Sequence, residues 1–212
     1  MKIGLALLLL ALGGGAAAEE RSPVGEYRLA GEQDVASALR LQADGHFQYF
    51  LIAGALDERA RGRWSVAGGV VTLVTEPKPV PPTFSQGVSG HSDTTALSVA
   101  VRSPEGRGLA GVDLRIGFDE GAPVEAYTQE EGWSLPAEET RIPRWIELGV
   151  PMHGLASPRW PIDLAAGNAL VFTLALNDLG MLDFDGMKVE LAGDALLVRR
   201  GPSRLRYEPV RP

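Results

Sequence analysis

Residues 38–52 read ALRLQADGHFQYFLI, and this stretch decides the fold. Apolar residues occupy alternate positions on both sides of Asp44-Gly45. A period of two is typical of a strand with one buried face, and Asp-Gly tolerates the positive φ angles of a tight turn. The stretch therefore predicts an antiparallel hairpin that buries Phe47, Tyr49 and Leu51.

The residues on either side continue the same pattern. A second hairpin is predicted around Gly68-Gly69, because apolar residues again alternate before and after it. A short strand is predicted at Tyr27 and Leu29, ahead of the first hairpin. Residues 35–41 leave two interpretations open, either one or two helical turns or the start of the hairpin. We therefore expect about five short strands between residues 24 and 75.

Three motifs in this region support a family resemblance. They are Gly25-Glu-Tyr27, Asp44-Gly-His-Phe47 and Gly62-Arg-Trp64, the last followed by the Gly-Gly turn. Together they resemble the small lipocalin-like barrel domains of bacterial envelope proteins. The resemblance covers residues 23–76 and implies an antiparallel barrel, but no particular ligand.

Residues 77–95 differ in composition from the hairpins. Four prolines, at positions 77, 79, 81 and 82, are followed by a stretch rich in serine and glycine. Proline favours extended backbone and Gly/Ser-rich chain is flexible. We predict a linker here, extended first and flexible afterwards.

A second resemblance begins where alternation resumes at residue 96. A strand, the polar turn Ser103–Gly111 and a second strand are followed by Thr128-Gln-Glu-Glu-Gly132-Trp. This arrangement resembles the transthyretin-like fold of carboxypeptidase regulatory domains, although Leu109 stands where that family often has proline. It implies a β-sandwich over residues 96–180, in a family whose domains are generally non-catalytic.

The number of strands predicts how these two parts are connected. Five strands are too few to close a barrel of about eight. Three further alternating segments, at 187–191, 195–198 and 205–207, lie within residues 181–208 and are not claimed by the sandwich. We therefore predict an all-β protein in which the sandwich is inserted into the barrel. The rival arrangement is two sequential domains.

Residues 1–18 form the pattern of a secretory signal peptide. Lys2 precedes an apolar run to Leu12, and Ala16-Ala17-Ala18 provides small residues for cleavage. We expect a periplasmic or secreted protein with no membrane insertion after cleavage. The chain has no cysteine, so its fold must depend on its core. Its formal net charge is −7, and no stretch is basic enough to bind nucleic acid.

The candidate chemical groups do not form a recognisable catalytic or metal-binding motif. His46, His91 and His153 lie far apart, outside any metal-binding spacing, and are expected at the surface. Ser89, His91 and Asp93 have the composition of a hydrolase triad, but they lie two residues apart in the predicted linker without a scaffold.

The densest cluster of oxygen-bearing side chains precedes Gly186. It comprises Asn177, Asp178, Asp183 and Asp185. Calcium prefers oxygen ligands, yet the spacing is not that of an EF-hand loop, and Asp with Gly is common in turns for backbone reasons. We predict turn residues here, and no catalytic residue, metal or cofactor anywhere in the chain.

Aromatic residues leave one binding hypothesis open. Phe47, Tyr49 and Trp64 could line a barrel cavity or fill its core, whereas Phe50 falls on the opposite face of its strand. The sequence predicts a non-catalytic binding or protein-interaction module whose partner is an unknown protein, a glycan or a small apolar ligand. The alternatives are a carboxylate-dependent hydrolase of envelope polymers and an accessory subunit of an envelope complex.

Overall fold

The computed structural model describes residues 22–211, so the signal-peptide prediction lies outside the described residues. The regular secondary structure of this part of the chain is β-strand, apart from one short 3₁₀ turn at Pro151–His153. The strands, in chain order, are β1 (Gly25–Leu29), β2 (Val35–Leu41), β3 (His46–Ala53), β4 (Leu56–Ala67), β5 (Val70–Thr75), β6 (Thr83–Gln86), β7 (Ser98–Arg102), β8 (Asp113–Phe118), β9 (Val124–Tyr127), β10 (Trp133–Ser134), β11 (Pro143–Val150), β12 (Leu155–Ala156), β13 (Trp160–Pro161), β14 (Ala169–Ala175), β15 (Asp185–Ala192), β16 (Ala195–Arg200) and β17 (Ser203–Pro209).

Eight of these strands close an antiparallel barrel. Their order around it is β1-β17-β16-β15-β5-β4-β3-β2. β15 pairs with β5 and β17 pairs with β1, so the last three strands complete the sheet that the first five begin. The final strands therefore do not pair only with the middle of the chain, as two sequential domains would require.

Alternation along each strand places one row of side chains inside the barrel. Phe47, Tyr49 and Leu51 on β3 are buried, as the hairpin pattern predicts. Residues 35–41 form a strand and not a helical turn, because β2 pairs with both β1 and β3. Hydrogen bonds to two neighbouring strands thus determine the conformation of a segment whose local sequence fitted either a helical turn or a strand.

One end of the barrel is completed by the connection into β15. β5 ends at Thr75, opposite Gly62, so the first half of β4 has no β5 partner. Residues 180–184 take that place through backbone hydrogen bonds. The Arg59 N–H donates to the Gly180 carbonyl at 2.8 Å, and the Leu182 N–H donates to the Arg59 carbonyl at 2.7 Å. The connection therefore serves as an additional edge beside β4.

Phe184, at the end of this connection, enters the barrel core. Its ring centroid lies 5.9 Å from that of Phe47 and 5.3 Å from that of Tyr49. Trp64 packs against the same core and donates from Nε1 to the Gln42 carbonyl at 2.9 Å. These aromatic side chains are therefore part of the hydrophobic core of the barrel.

The strands between β5 and β15 form two further sheets around a second core. One sheet has the order β10-β7-β14-β6, and the other has the order β12-β11-β8-β9 with β13 paired to β11. β7 and β14 are parallel, whereas the other pairs are antiparallel. The buried side chains of both sheets meet, among them Val99, Ile116, Ile146 and Phe172.

Part of the predicted linker is a strand. β6 lies within residues 77–95 and pairs with β14 at the edge of the four-stranded sheet. The prolines end just before it, and proline is tolerated next to edge strands because one side of such a strand needs no sheet partner. The linker interpretation is therefore wrong for residues 83–86.

Tyr207 anchors a polar contact inside the barrel. Its hydroxyl lies 2.8 Å from Ser37 Oγ, which donates to the Phe50 carbonyl at 2.6 Å. Tyr207 is completely buried, and this burial raises the pKa of its hydroxyl above the ordinary 10.0. Burial raises a phenol pKa because it disfavours the charged form.

This shift predicts a loss of stability at alkaline pH. Above about pH 10, the unfolded chain releases the Tyr207 proton while the native state retains it, so the free energy of unfolding falls as pH rises. We expect Tyr207→Phe to leave the native 295 nm phenolate absorbance at about pH 11 unchanged. In denaturant the same variant should lose the signal of one of the four tyrosines. A native signal that drops in the variant would contradict the assignment.

Candidate functional site

A groove lies on the outer face of the barrel, across β1 to β4. Its volume is about 590 Å³. Residues of four barrel strands form its floor and walls, and the connection between β14 and β15 contributes one rim. The lining consists of Glu26, Ala38, Arg40, Gln48, Tyr49, Phe50, Arg59, Ala60, Arg61, Asp178 and Met181.

Strand register aligns three polar side chains across this groove. Arg40 on β2 is opposite Gln48 on β3, and Gln48 is opposite Arg61 on β4. Directly opposed residues share a face of the sheet, with Cβ atoms about 5 Å apart. All three residues are exposed. We call Arg40, Gln48 and Arg61 the arginine row.

The arginine row differs from the neighbouring charges in having no carboxylate partner. Arg59 pairs with Asp57 at 2.7 Å, and its guanidinium lowers the pKa of that carboxyl. Within residues 22–211, no Asp or Glu lies within ion-pair distance of Arg40 or Arg61. The row therefore presents two guanidinium groups that form no salt bridge within the described residues, with Glu26 opposite Arg40 in register.

An apolar patch adjoins the row. Phe50 is one pleat along β3 from Gln48 and is 39% exposed. It is opposite Ala38 on one side and Arg59 on the other. Met181 borders it, because the chain around Met181 runs beside Arg59 as a parallel bridge. The groove thus combines an exposed aromatic ring with guanidinium groups.

Among the lining residues, the sequence predicted an outward position for Phe50, a core position for Tyr49 and a turn position for Asp178. The hairpin places Phe50 on the outer face, as predicted, but Arg40, Gln48, Arg59 and Arg61 were not recognised as a set. Alternating arginines on the solvent face of β4 were the available signal. Reading them as a site requires the register of three strands, which the sequence does not show.

The oxygen-rich cluster before Gly186 joins the two connections between the barrel and the middle sheets. Asp178 accepts from the Val80 N–H at 2.8 Å, and Asn177 donates to the Pro81 carbonyl at 2.8 Å. Lys78 pairs with Asp183 at 3.2 Å. No group of three or more His, Asp or Glu side chains in residues 22–211 is placed to hold a metal ion.

The histidines occupy separate places. His46 is exposed beside Asp44 in the β2–β3 turn, with its Nδ1 3.1 Å from the carboxylate. His91 is exposed, and His153 is half-buried near Gly180. Ser89, His91 and Asp93 share no hydrogen bond in the described chain. The structure therefore does not assemble them into a triad.

A second cleft, of about 320 Å³, lies on the outer face of the five-stranded sheet and contains the carboxylates Asp113, Glu125 and Glu147. Arg115 lies between two of them, 3.0 Å from Glu125 and 3.9 Å from Glu147. Arg159 also pairs with Glu147 at 3.1 Å. These ion pairs engage Glu125 and Glu147, two of the three carboxylates that could exchange protons with a substrate in this cleft.

An ion pair lies inside the barrel, between Glu58 on β4 and Arg200 on β16. The Glu58 side chain is 9% exposed and that of Arg200 is 37% exposed. The contact joins Arg200 Nη2 to Glu58 Oε2. Neither Glu58 nor Arg200 lines the groove, and the pair links β4 to β16.

No helix within residues 22–211 is long and apolar enough to cross a membrane. Comparison with known proteins finds no matching family model, no matching curated protein and no matching solved structure.

Proposed function

We propose that this protein is an exported, non-catalytic protein-interaction module of the bacterial envelope, and that its partner docks in the groove on the outer face of the barrel. The composition of the groove carries this proposal. The lining has three arginines, the exposed Phe50 and Met181, but no lysine. Aromatic residues, methionine and arginine are enriched at protein interfaces, and lysine is depleted.

The shape of the groove favours a protein over a small apolar ligand. Small-molecule sites usually enclose most of the ligand in an apolar cavity. Here the groove is an open surface on an outer sheet face, and the aromatic residues inside the barrel pack against Phe184. A segment of a protein partner can lie across such a surface without entering the barrel.

Export and accessory function belong to the same proposal. The signal-peptide pattern of residues 1–18 agrees with a protein that acts in the envelope. An accessory subunit would use the same groove to join a complex. The hydrolase alternative receives less support, because two of the three carboxylates of the second cleft, Glu125 and Glu147, pair with Arg115 and Arg159.

The finer assignment of the fold is a lipocalin-like barrel with an inserted transthyretin-like sandwich. Two contacts support it at the residues that carry the resemblance. Thr128 donates to the Leu109 carbonyl at 2.6 Å and accepts from the Val112 N–H at 3.2 Å. A Cβ on Gly108 would meet the Glu130 carbonyl at 1.8 Å. Threonine and glycine thus hold together the two loops of the motif.

Photo-crosslinking from the groove tests the proposed function. We expect a photoreactive phenylalanine analogue in place of Phe50 to give a protein adduct of discrete mass in cells that produce the protein. The same analogue in place of Val74 is the control, because Val74 is an outward residue of β5 with 38% exposure. No adduct from position 50, or equal adducts from both positions, would refute groove docking.

A further inference from the structure

The side chains of the arginine row are neighbours in the lining of the groove. An arginine side chain offers five N–H donors in a planar fork, and a glutamine amide offers two. Because Gln48 is opposite both Arg40 and Arg61, the three side chains leave the same face of the sheet in one row. Neither arginine has a carboxylate partner in the described chain. The row therefore places these donors side by side on one face of the sheet, without a salt bridge within residues 22–211.

We propose that the arginine row is a subsite for a carboxylate of the docked partner, and that Phe50 contacts the apolar side chain next to that carboxylate. This inference rests on the proposed function. Arginine forms two parallel hydrogen bonds to a carboxylate, and such charge-assisted bonds are stronger than neutral ones. The partner is thus a protein segment with an acidic group beside a large apolar residue.

The charges at the rim favour a carboxylate over a phosphate. Glu26 lines the groove next to Arg40 in register, and Asp178 lines the opposite side. Both add negative charge close to the row. A phosphate group carries more negative charge than a carboxylate, so these two residues repel it more strongly. The row therefore selects a singly charged group.

Peptide binding tests this subsite directly. The probe is an arrayed library of eight-residue fluorescent peptides that place glutamate, glutamine or phosphoserine beside leucine or phenylalanine in a Gly/Ser background. We expect the glutamate peptides to bind about tenfold more tightly than their glutamine counterparts at low salt, because a charged acceptor replaces a neutral one. The preference should shrink as salt screens the exposed charges.

Two double variants distinguish recognition by the arginine row from a general effect of positive charge on peptide binding. Arg40→Gln with Arg61→Gln should abolish the preference for glutamate over glutamine. Arg107→Gln with Arg144→Gln removes the same charge from exposed arginines of the middle sheets and should retain it. Circular dichroism checks that both variants keep the native β-signal.

Four results would contradict the proposal that the arginine row binds a carboxylate. Equal binding of glutamate and glutamine peptides, stronger binding of phosphoserine peptides, no binding at all, or a preference that persists in Arg40→Gln/Arg61→Gln would each overturn the carboxylate subsite. If position 50 still crosslinks a partner in those cases, groove docking stands and only the subsite is wrong. If position 50 gives no adduct, the proposed function fails as well.

Discussion

Replacement of Phe184 by alanine is expected to lower the free energy of unfolding by about 3–5 kcal/mol. Phe184 is buried and packs against the rings of Phe47 and Tyr49 inside the barrel. Its loss removes apolar burial and leaves a cavity that rigid strands can fill only in part. It also loosens the connection that lies beside the first half of β4. Urea denaturation followed by circular dichroism measures the change.

Phe50→Ala is the matched control, because it makes the same chemical change on the outer face of the barrel, where the ring is 39% exposed. Surface substitutions of this kind usually change stability by less than about 1 kcal/mol. If the two variants unfolded at the same urea concentration, Phe184 would not be part of the core that closes the barrel.

Replacement of Glu58 by leucine is expected to destabilise the protein by about 2–3 kcal/mol. The change leaves Arg200 inside the barrel without its carboxylate, and breaking a buried pair typically costs about 3–5 kcal/mol. We expect less here because 37% of the Arg200 side chain is exposed and can be hydrated. Urea denaturation again gives the free energy of unfolding.

The double variant Glu58→Leu/Arg200→Met should recover most of this loss, because apolar residues of similar size often replace a buried pair without cost. Asp57→Ala is the control on the adjacent, outward residue. It breaks the exposed Asp57–Arg59 pair, and exposed pairs contribute at most about 1 kcal/mol. A double variant less stable than Glu58→Leu would show that Arg200 has another role in the barrel.

Sequence alone predicted the barrel strands because they alternate and have clear turns. The hairpins around Asp44-Gly45 and Gly68-Gly69 are present, and the count of five early strands correctly required three more from the end of the chain. Whether Val35–Leu41 forms helical turns or a strand could not be predicted from those residues alone. Its strand conformation depends on β1, which pairs with its other edge.

Several of the remaining strands could not be predicted, because their local sequence shows no clear strand pattern. β9, β12 and β13 have between two and four residues, fewer than a periodic pattern needs. β6 was hidden by the prolines before it. The groove was missed for a different reason, since Arg40, Gln48 and Arg61 are separated in sequence and meet only through strand register. Charge alone gave no indication of their alignment.

The division of the barrel between the two ends of the chain sets an order for its folding during synthesis. β5 ends at Thr75 and its neighbour β15 begins at Asp185, so β1 and β5 stay unpaired on one side until the last third of the chain has emerged. Open strand edges recruit other chains. The middle sheets can form first, and they then bring Thr75 to Phe184, whose backbone groups bond at 3.0 Å. A folded insert thereby shortens the loop that barrel closure must span and reduces its entropic cost.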